Sequence, residues 1–150
     1  MSFEIYYNHV LESKISFQKR EELSIVKISK QNFKSNNHLI QKSIDTFHSE
    51  IKWEEMWDLY ECEIRLNQNQ ILYLLLEDNN PIGHVWYEGN YLHNAFVSKQ
   101  RYDGDSTWFI QETMWDIKNT LNVKSIKLCS DYWNIRAQKF WEKLGYEKLT

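Results

Sequence analysis

One proline and four glycines leave this 150-residue chain with little loop punctuation. No Gly/Ser/Pro-rich linker or internal repeat divides it, so one domain is expected over 1–150, with residues 1–22 an extension of unassigned structure. Cys62 and Cys129 are the only cysteines, too few for a secreted disulfide framework. No Cys-x-x-Cys or paired-His spacing points to zinc. Neither charge sign dominates: 18 Lys+Arg against 21 Asp+Glu give a net charge of −3, which excludes a nucleic-acid binder working mainly through a basic field. The longest apolar run, 71–76, is too short to cross a bilayer, so no membrane partner is expected. Residues 1–7 lack the basic region and apolar run of a secretory signal, and the expected location is cytoplasmic.

Hydrophobic residues reach 42%, charged residues 26% and aromatics 15%, the first two ordinary for a globular chain. With glycine scarce, Gly83, Gly89, Gly104 and Gly145 mark places where the backbone needs one. Residues 3–7 fit a short strand, and the β-branched run 23–28 a better one. Asn36 and Asn37 offer a helix start, followed by Ile40, Ile44, Phe47 and Ile51 at helical spacing. Trp53, Met56/Trp57, Tyr60 and Ile64 make a second helical stripe.

The period then changes. Residues 70–77, 82–88 and 91–97 read as three strands of an antiparallel meander, with turns at 78–81 and 88–90. Period-two alternation puts His93, Ala95 and Val97 on one face, and Asn94 and Phe96 on the other. A helix after Gly104 carries Ile110, Met114, Ile117 and Leu121 on one face. Residues 123–129 follow as a strand, in an order that implies a crossover to a parallel neighbour. A last helix runs through Ala137, Phe140, Trp141 and Leu144 to Gly145, and 146–149 add a final strand. The expected class is α/β, with a mixed sheet and helices on its faces.

Two segments carry chemistry. Arg101-Tyr102-Asp103-Gly104-Asp105-Ser106 joins a strand to a helix start, where unpaired amides and the helix dipole favour an anion. An ordinary capped turn would read the same. Asn134 to Tyr146 alone is an amphipathic helix with a glycine stop. The ordered pair resembles the GNAT superfamily of acyl-CoA-dependent N-acetyltransferases. Arg101 and Gly104 match its Arg/Gln-x-x-Gly-x-Gly/Ala loop, with Ser106 in place of the second Gly/Ala, and Asn134, Ala137, Phe140, Trp141, Glu142, Lys143, Gly145 and Tyr146 follow its C-terminal motif.

The resemblance implies a GNAT-like, mostly antiparallel mixed sheet with helices on both faces and a splayed strand pair. It implies acetyl-CoA as co-substrate and direct transfer to an amine of a small molecule or protein. The amides of Gly104, Asp105 and Ser106, with Arg101 and its loop neighbours Tyr102 and Asp103, would hold the coenzyme pyrophosphate. Phe96 and Val97 would flank the pantetheine arm, with Asn134, Ala137, Phe140 and Trp141 opposite. Trp53, Trp57 and Tyr60 sit where such proteins shape the acceptor pocket, or else pack a helix on the sheet. His93 or Glu88 is the candidate base, with His84 also on these strands.

The chain departs from the family pattern in three ways. Trp141 replaces the usual tyrosine, an acid for the leaving thiolate, and Tyr132 or water would substitute. The flanking Asp103 and Asp105 would repel a pyrophosphate unless their side chains turn away, which predicts weaker coenzyme binding. The interval from Val97 to Arg101 is one residue short, which a β-bulge would absorb. Asp103-x-Asp105 alone also fits a divalent-metal site, but the helix and C-terminal motif favour coenzyme A. Cys129 is read as a buried core thiol. The competing function is a non-catalytic module of the same fold that binds coenzyme A or a protein, and an exposed aromatic surface would support a homodimer.

Overall fold

A computed structural model describes residues 4–51, 58–99 and 104–149. Among the described residues seven strands form one sheet: β1 (Glu4–Val10), β2 (Leu23–Ile28), β3 (Ile71–Glu77), β4 (Asn80–Glu88), β5 (Tyr91–Val97), β6 (Ser125–Asp131) and β7 (Glu147–Lys148). Four α-helices join them: α1 (Asn37–Glu50), α2 (Leu59–Asn67), α3 (Asp105–Leu121) and α4 (Ile135–Leu144). The sheet order is β2-β3-β4-β5-β6-β1-β7. Every pairing is antiparallel except β5 with β6.

The β3–β5 meander follows from local chemistry. Asp78 and Asn79 take the left-handed conformation (φ 48° and 69°), as a two-residue hairpin with the twist of its strands requires. The turn is therefore shorter than 78–81, and Asn80 and Pro81 already belong to β4. Pro81 pairs with Leu76 where the register shifts, a bulge that tolerates its missing N–H. Apolar residues on both faces of β3 serve two cores. Tyr73 and Leu75 pack toward α3 and α4 with Val85, Tyr87, Leu92, Phe109, Met114 and Leu128. Leu72, Leu74 and Leu76 pack with Ile40, Ile44 and Phe47 of α1 and Cys62 and Leu66 of α2. Burial in this second core pushes the Cys62 thiol up to about 12.

The second helical stripe differs from its expected form. α2 begins at Leu59, capped by Asp58, whose carboxylate accepts the Glu61 N–H at 2.8 Å. Its buried positions are Cys62 and Leu66, whereas Tyr60 is 74% exposed. Leu121, expected on the buried face of α3, is exposed in the last turn.

The N-terminal residues occupy an internal place in the sheet. β1 pairs with β6 at seven positions, from Glu4 opposite Asp131 to Val10 opposite Ser125. Its other edge takes β7, with Tyr7 opposite Lys148 and Asn8 opposite Glu147. Tyr7 is fully buried in the core under α3 and α4. Cys129, opposite Tyr6, is half-buried on the other face rather than in the core, because β6 alternates and Ile126 and Leu128 take the inward positions.

Candidate functional site

β5 and β6 pair only at Tyr91 with Lys127 and Leu92 with Leu128, then part. The cause lies within β5. Trp86 faces Asn94 while Tyr87 faces Leu92, so His93 is an extra residue, a β-bulge that bends the strand. The bulge also overturns the simple alternation: Leu92 and Ala95 pack toward the same core, and His93 drops out of the series. The one-residue discrepancy in sequence lay after Val97, whereas this bulge lies upstream of it.

Beyond the parting, β5 has a free edge. The Ser98 N–H donates to the Ile82 carbonyl on β4 at 2.8 Å. Peptide groups alternate along a strand, so the Val97 and Ala95 amides point the other way, into the gap toward β6. Gly83 permits the close approach on the β4 side: a Cβ there would lie 2.7 Å from the Phe96 carbonyl oxygen.

The gap widens into a cleft of about 520 Å³. Phe96, Val97, Gly104, Ser106, Asn134, Ala137, Phe140 and Trp141 line it, all of them singled out from sequence. Ile51, Ala95, Ser98, Lys99, Thr107, Ile110 and Arg136 complete the lining. Among the described residues, Lys99 and Arg136 are the charged members of the lining, and both are cations, suited to a polyanion.

One end of the cleft is the start of α3. Gly104 holds the N-cap with φ 96° and, having no side chain, brings no cap of its own to the first amides. Space for a Cβ exists at Gly104, so the glycine answers to backbone conformation. The first turn thus presents N–H groups and the positive end of the helix dipole. The last residue of α1, Glu50, ties down the strand that leads here: its carboxylate accepts Ser98 Oγ at 2.5 Å and the Lys99 N–H at 2.8 Å. Across the cleft, Asn134 caps α4 by accepting the Ala137 N–H at 3.1 Å.

Asp105 does not line the cleft, although Gly104 and Ser106 on either side do. It is 3% exposed and faces Arg20, in the segment before β2. Arg20 Nε donates to Asp105 Oδ1 at 3.0 Å and Nη2 to Oδ2 at 2.7 Å, a bidentate fork. The same guanidinium reaches Glu77 at 2.5 Å and Glu22 at 3.3 Å. Hydrogen bonds from Arg20 to Asp105 and Glu77 raise its pKa further above its ordinary value.

The base candidates separate by environment. His93 stands immediately after Leu92, where the gap begins, and its Nε2 lies 3.0 Å from Glu88 Oε1 on β4. Both side chains reach solvent. His84 is fully buried, with Nε2 2.8 Å from Asn94 Oδ1, and burial depresses it to about 4, so the ring is neutral at pH 7. Tyr132 is mostly exposed and outside the cleft lining. Its carbonyl accepts Gln138 Nε2 at 2.7 Å, which fixes the loop and leaves the ring outward. Trp141 packs edge-on against Phe140 and Tyr146. Arg101, Tyr102, Asp103, Trp53 and Trp57 lie outside the described residues. Among the described residues no helix is long and apolar enough to cross a membrane.

Arg20 was not singled out from sequence, because residues 11–22 carry no period or motif to announce it. Arg136 sits inside the C-terminal motif and could have been found as the cation beside the Asn134 cap.

No family model and no curated protein matches the chain. Solved structures do. An aminoglycoside acetyltransferase from an uncultured soil metagenomic sample, in complex with trehalose, aligns with a TM-score of 0.63 at 17% identity, over 82% of this chain and 87% of that one. A GCN5-related N-acetyltransferase from Sphaerobacter thermophilus aligns at 0.65 and 10% identity, over 97% of this chain and 48% of its own. A tandem GNAT protein from the clavulanic acid biosynthesis pathway gives 0.62 and 10%, over 97% and 50%. This chain spans about half of each of the latter two. At these identities the likeness establishes the fold, which is that of the GNAT acetyltransferases.

Proposed function

We propose that this chain, with a GNAT fold and a cleft opened between β5 and β6, is an N-acetyltransferase that moves an acetyl group from acetyl-CoA to an amine. The parting of β5 from β6 after Leu92 and Leu128 carries the reading. It leaves the Ala95 and Val97 amides without a strand partner, beside a cleft that ends on the glycine-led start of α3. A pantetheine arm has amides and carbonyls that complement such an edge. A pyrophosphate suits the amides of the first α3 turn, and Lys99 and Arg136 suit the remaining phosphate charge.

The chemistry is direct. The neutral amine attacks the thioester carbonyl, the oxyanion takes a hydrogen bond from a β5 amide, and the tetrahedral species collapses with expulsion of the coenzyme thiolate. An alkyl ammonium has a pKa of about 10 and must first lose a proton. His93, paired with Glu88 on the solvent side of the point where β5 and β6 part and outside the cleft lining, is the group we assign to accept it. The thiolate, with a pKa of about 8.5, departs without a strong acid, so Trp141 in place of a tyrosine is compatible with turnover.

Incubation with acetyl-CoA and an amine panel is expected to release free coenzyme thiol, and Gly104→Leu to suppress it. No release across a broad panel would remove the enzymatic reading. A second reading, a non-catalytic module that binds coenzyme A or a protein, draws on the indole at Trp141, packed against Phe140 and Tyr146 with no acid in its place. Coenzyme binding by calorimetry without thiol release would favour it.

A further inference from the structure

A carboxylate at residue 105 is an odd choice for the turn described above. It stands at the first position of α3, between two residues that line the cleft. A free aspartate there would turn toward the same amides and the same dipole that a phosphate needs. It would also repel that phosphate. In this molecule the conflict is resolved from a distant part of the chain. Arg20, 85 residues earlier, grips both oxygens of Asp105 on the side away from the cleft, at 3.0 and 2.7 Å.

We infer that Arg20 is a positioning residue for the phosphate end of the cleft: its fork keeps the Asp105 carboxylate out of the anion-binding turn and neutralises it there. The inference rests on the coenzyme reading of the cleft and names what governs affinity at that end. Three features support a dedicated arrangement. The fork is bidentate, so it fixes the orientation of the carboxylate as well as its charge. Asp105 is almost wholly buried, so its charge is poorly screened and its partner matters. Glu77 accepts from Nη2, the nitrogen it shares with Asp105, and Glu22 from Nη1, so the remaining donors of the guanidinium are also held by carboxylates. Arg20 itself is absent from the cleft lining, so it acts through Asp105 and not by touching the ligand.

The test compares two probes by calorimetry: coenzyme A, and pantetheine, which lacks all the phosphates. Arg20→Met keeps the length of the side chain and removes its charge. It is expected to weaken coenzyme A by about tenfold or more, the order of an uncompensated buried charge, and to leave pantetheine within about twofold. Asp105→Asn in that background is expected to restore coenzyme A affinity, since no carboxylate remains to restrain. Thermal unfolding of each variant, followed by circular dichroism, monitors the fold, and the double variant tests the idea even if Arg20→Met alone is destabilised. Unchanged coenzyme A affinity in Arg20→Met, equal losses for both probes, or no rescue by Asp105→Asn would each overturn the role of Arg20. If the unaltered protein binds neither probe, the coenzyme reading itself fails, and this inference with it.

Discussion

The two sides of the β5–β6 seam are built in opposite ways. On one side, β2 through β5 zip together along nearly their whole length, joined at β3–β4–β5 by two tight hairpins. On the other, β6 and β7 are held by β1, from the opposite end of the chain. Between them, two register pairs and the packing of α3 and α4 make the join. The molecule puts its opening where its pairing is thinnest. A sheet that was zipped throughout would leave no amide on β5 free for a ligand.

The most damaging change should be removal of residues 1–10. It strips β6 and β7 of their shared partner and takes the buried Tyr7 from the core. Loss of cooperative thermal unfolding is expected, since Tyr7→Ala alone should cost about 3–5 kcal/mol, the range for a large core aromatic. A truncated protein that unfolds like the full chain would show that the far side stands without β1.

Gly83→Val attacks the zipped side. Its Cβ would meet the Phe96 carbonyl oxygen at 2.7 Å, and the expected cost is about 1–3 kcal/mol in denaturant titration. Backbone atoms have little room to move there, so a neutral result would mean that β4 and β5 slide apart more easily than their pairing implies.

The pH test also probes the zipped side. His84 has a folded pKa of about 4 against an ordinary 6.5, so between those values the unfolded chain binds a proton that the native state refuses. Stability should therefore fall as pH drops from 6.5 toward 4, with His84 contributing at most about 1.4 kcal/mol per pH unit, and level off below that for this group. Denaturant midpoints at pH 5 and 7 should show a steeper loss for the unaltered protein than for His84→Gln.

Ala137→Phe sharpens the contrast from the other direction. It adds bulk to the wall of the open cleft, so stability should change by less than about 1 kcal/mol while coenzyme A binding is lost. A large loss of stability instead would mean that the cleft wall is as tightly packed as the core.

Much of this was legible in the sequence for a physical reason: it is local. The period change at residue 70, the hairpin residues at 78–79 and the glycine at 145 each act within a few positions, and strands and helices formed accordingly. The cleft residues were legible because two short motifs carry their own backbone requirements, at Gly104 and at the Asn134 cap. What could not be read depends on distant pairing. Residues 3–7 fitted a strand, but nothing in them says that Tyr7 lies opposite Leu128. Tyr60 fell on a helical stripe and is exposed because the buried face of α2 is set by which side meets β3. His93 lost its expected face to a bulge that alternation cannot foresee. Arg20 became visible only once α3 stood beside the segment before β2.

The strand inserted between β6 and β7 also bears on how the chain is made and how it can be rewired. During synthesis β1 emerges long before either neighbour, and its two edges wait first for β6 and then for β7. Once it is seated, residues 6 and 149 lie side by side, with the Leu149 amide donating to the Tyr6 carbonyl at 2.9 Å. A short peptide joining the two ends of the polypeptide, with new termini opened at the Asp78–Asn79 hairpin, would give a circular permutant in which that strand follows its partners instead of preceding them.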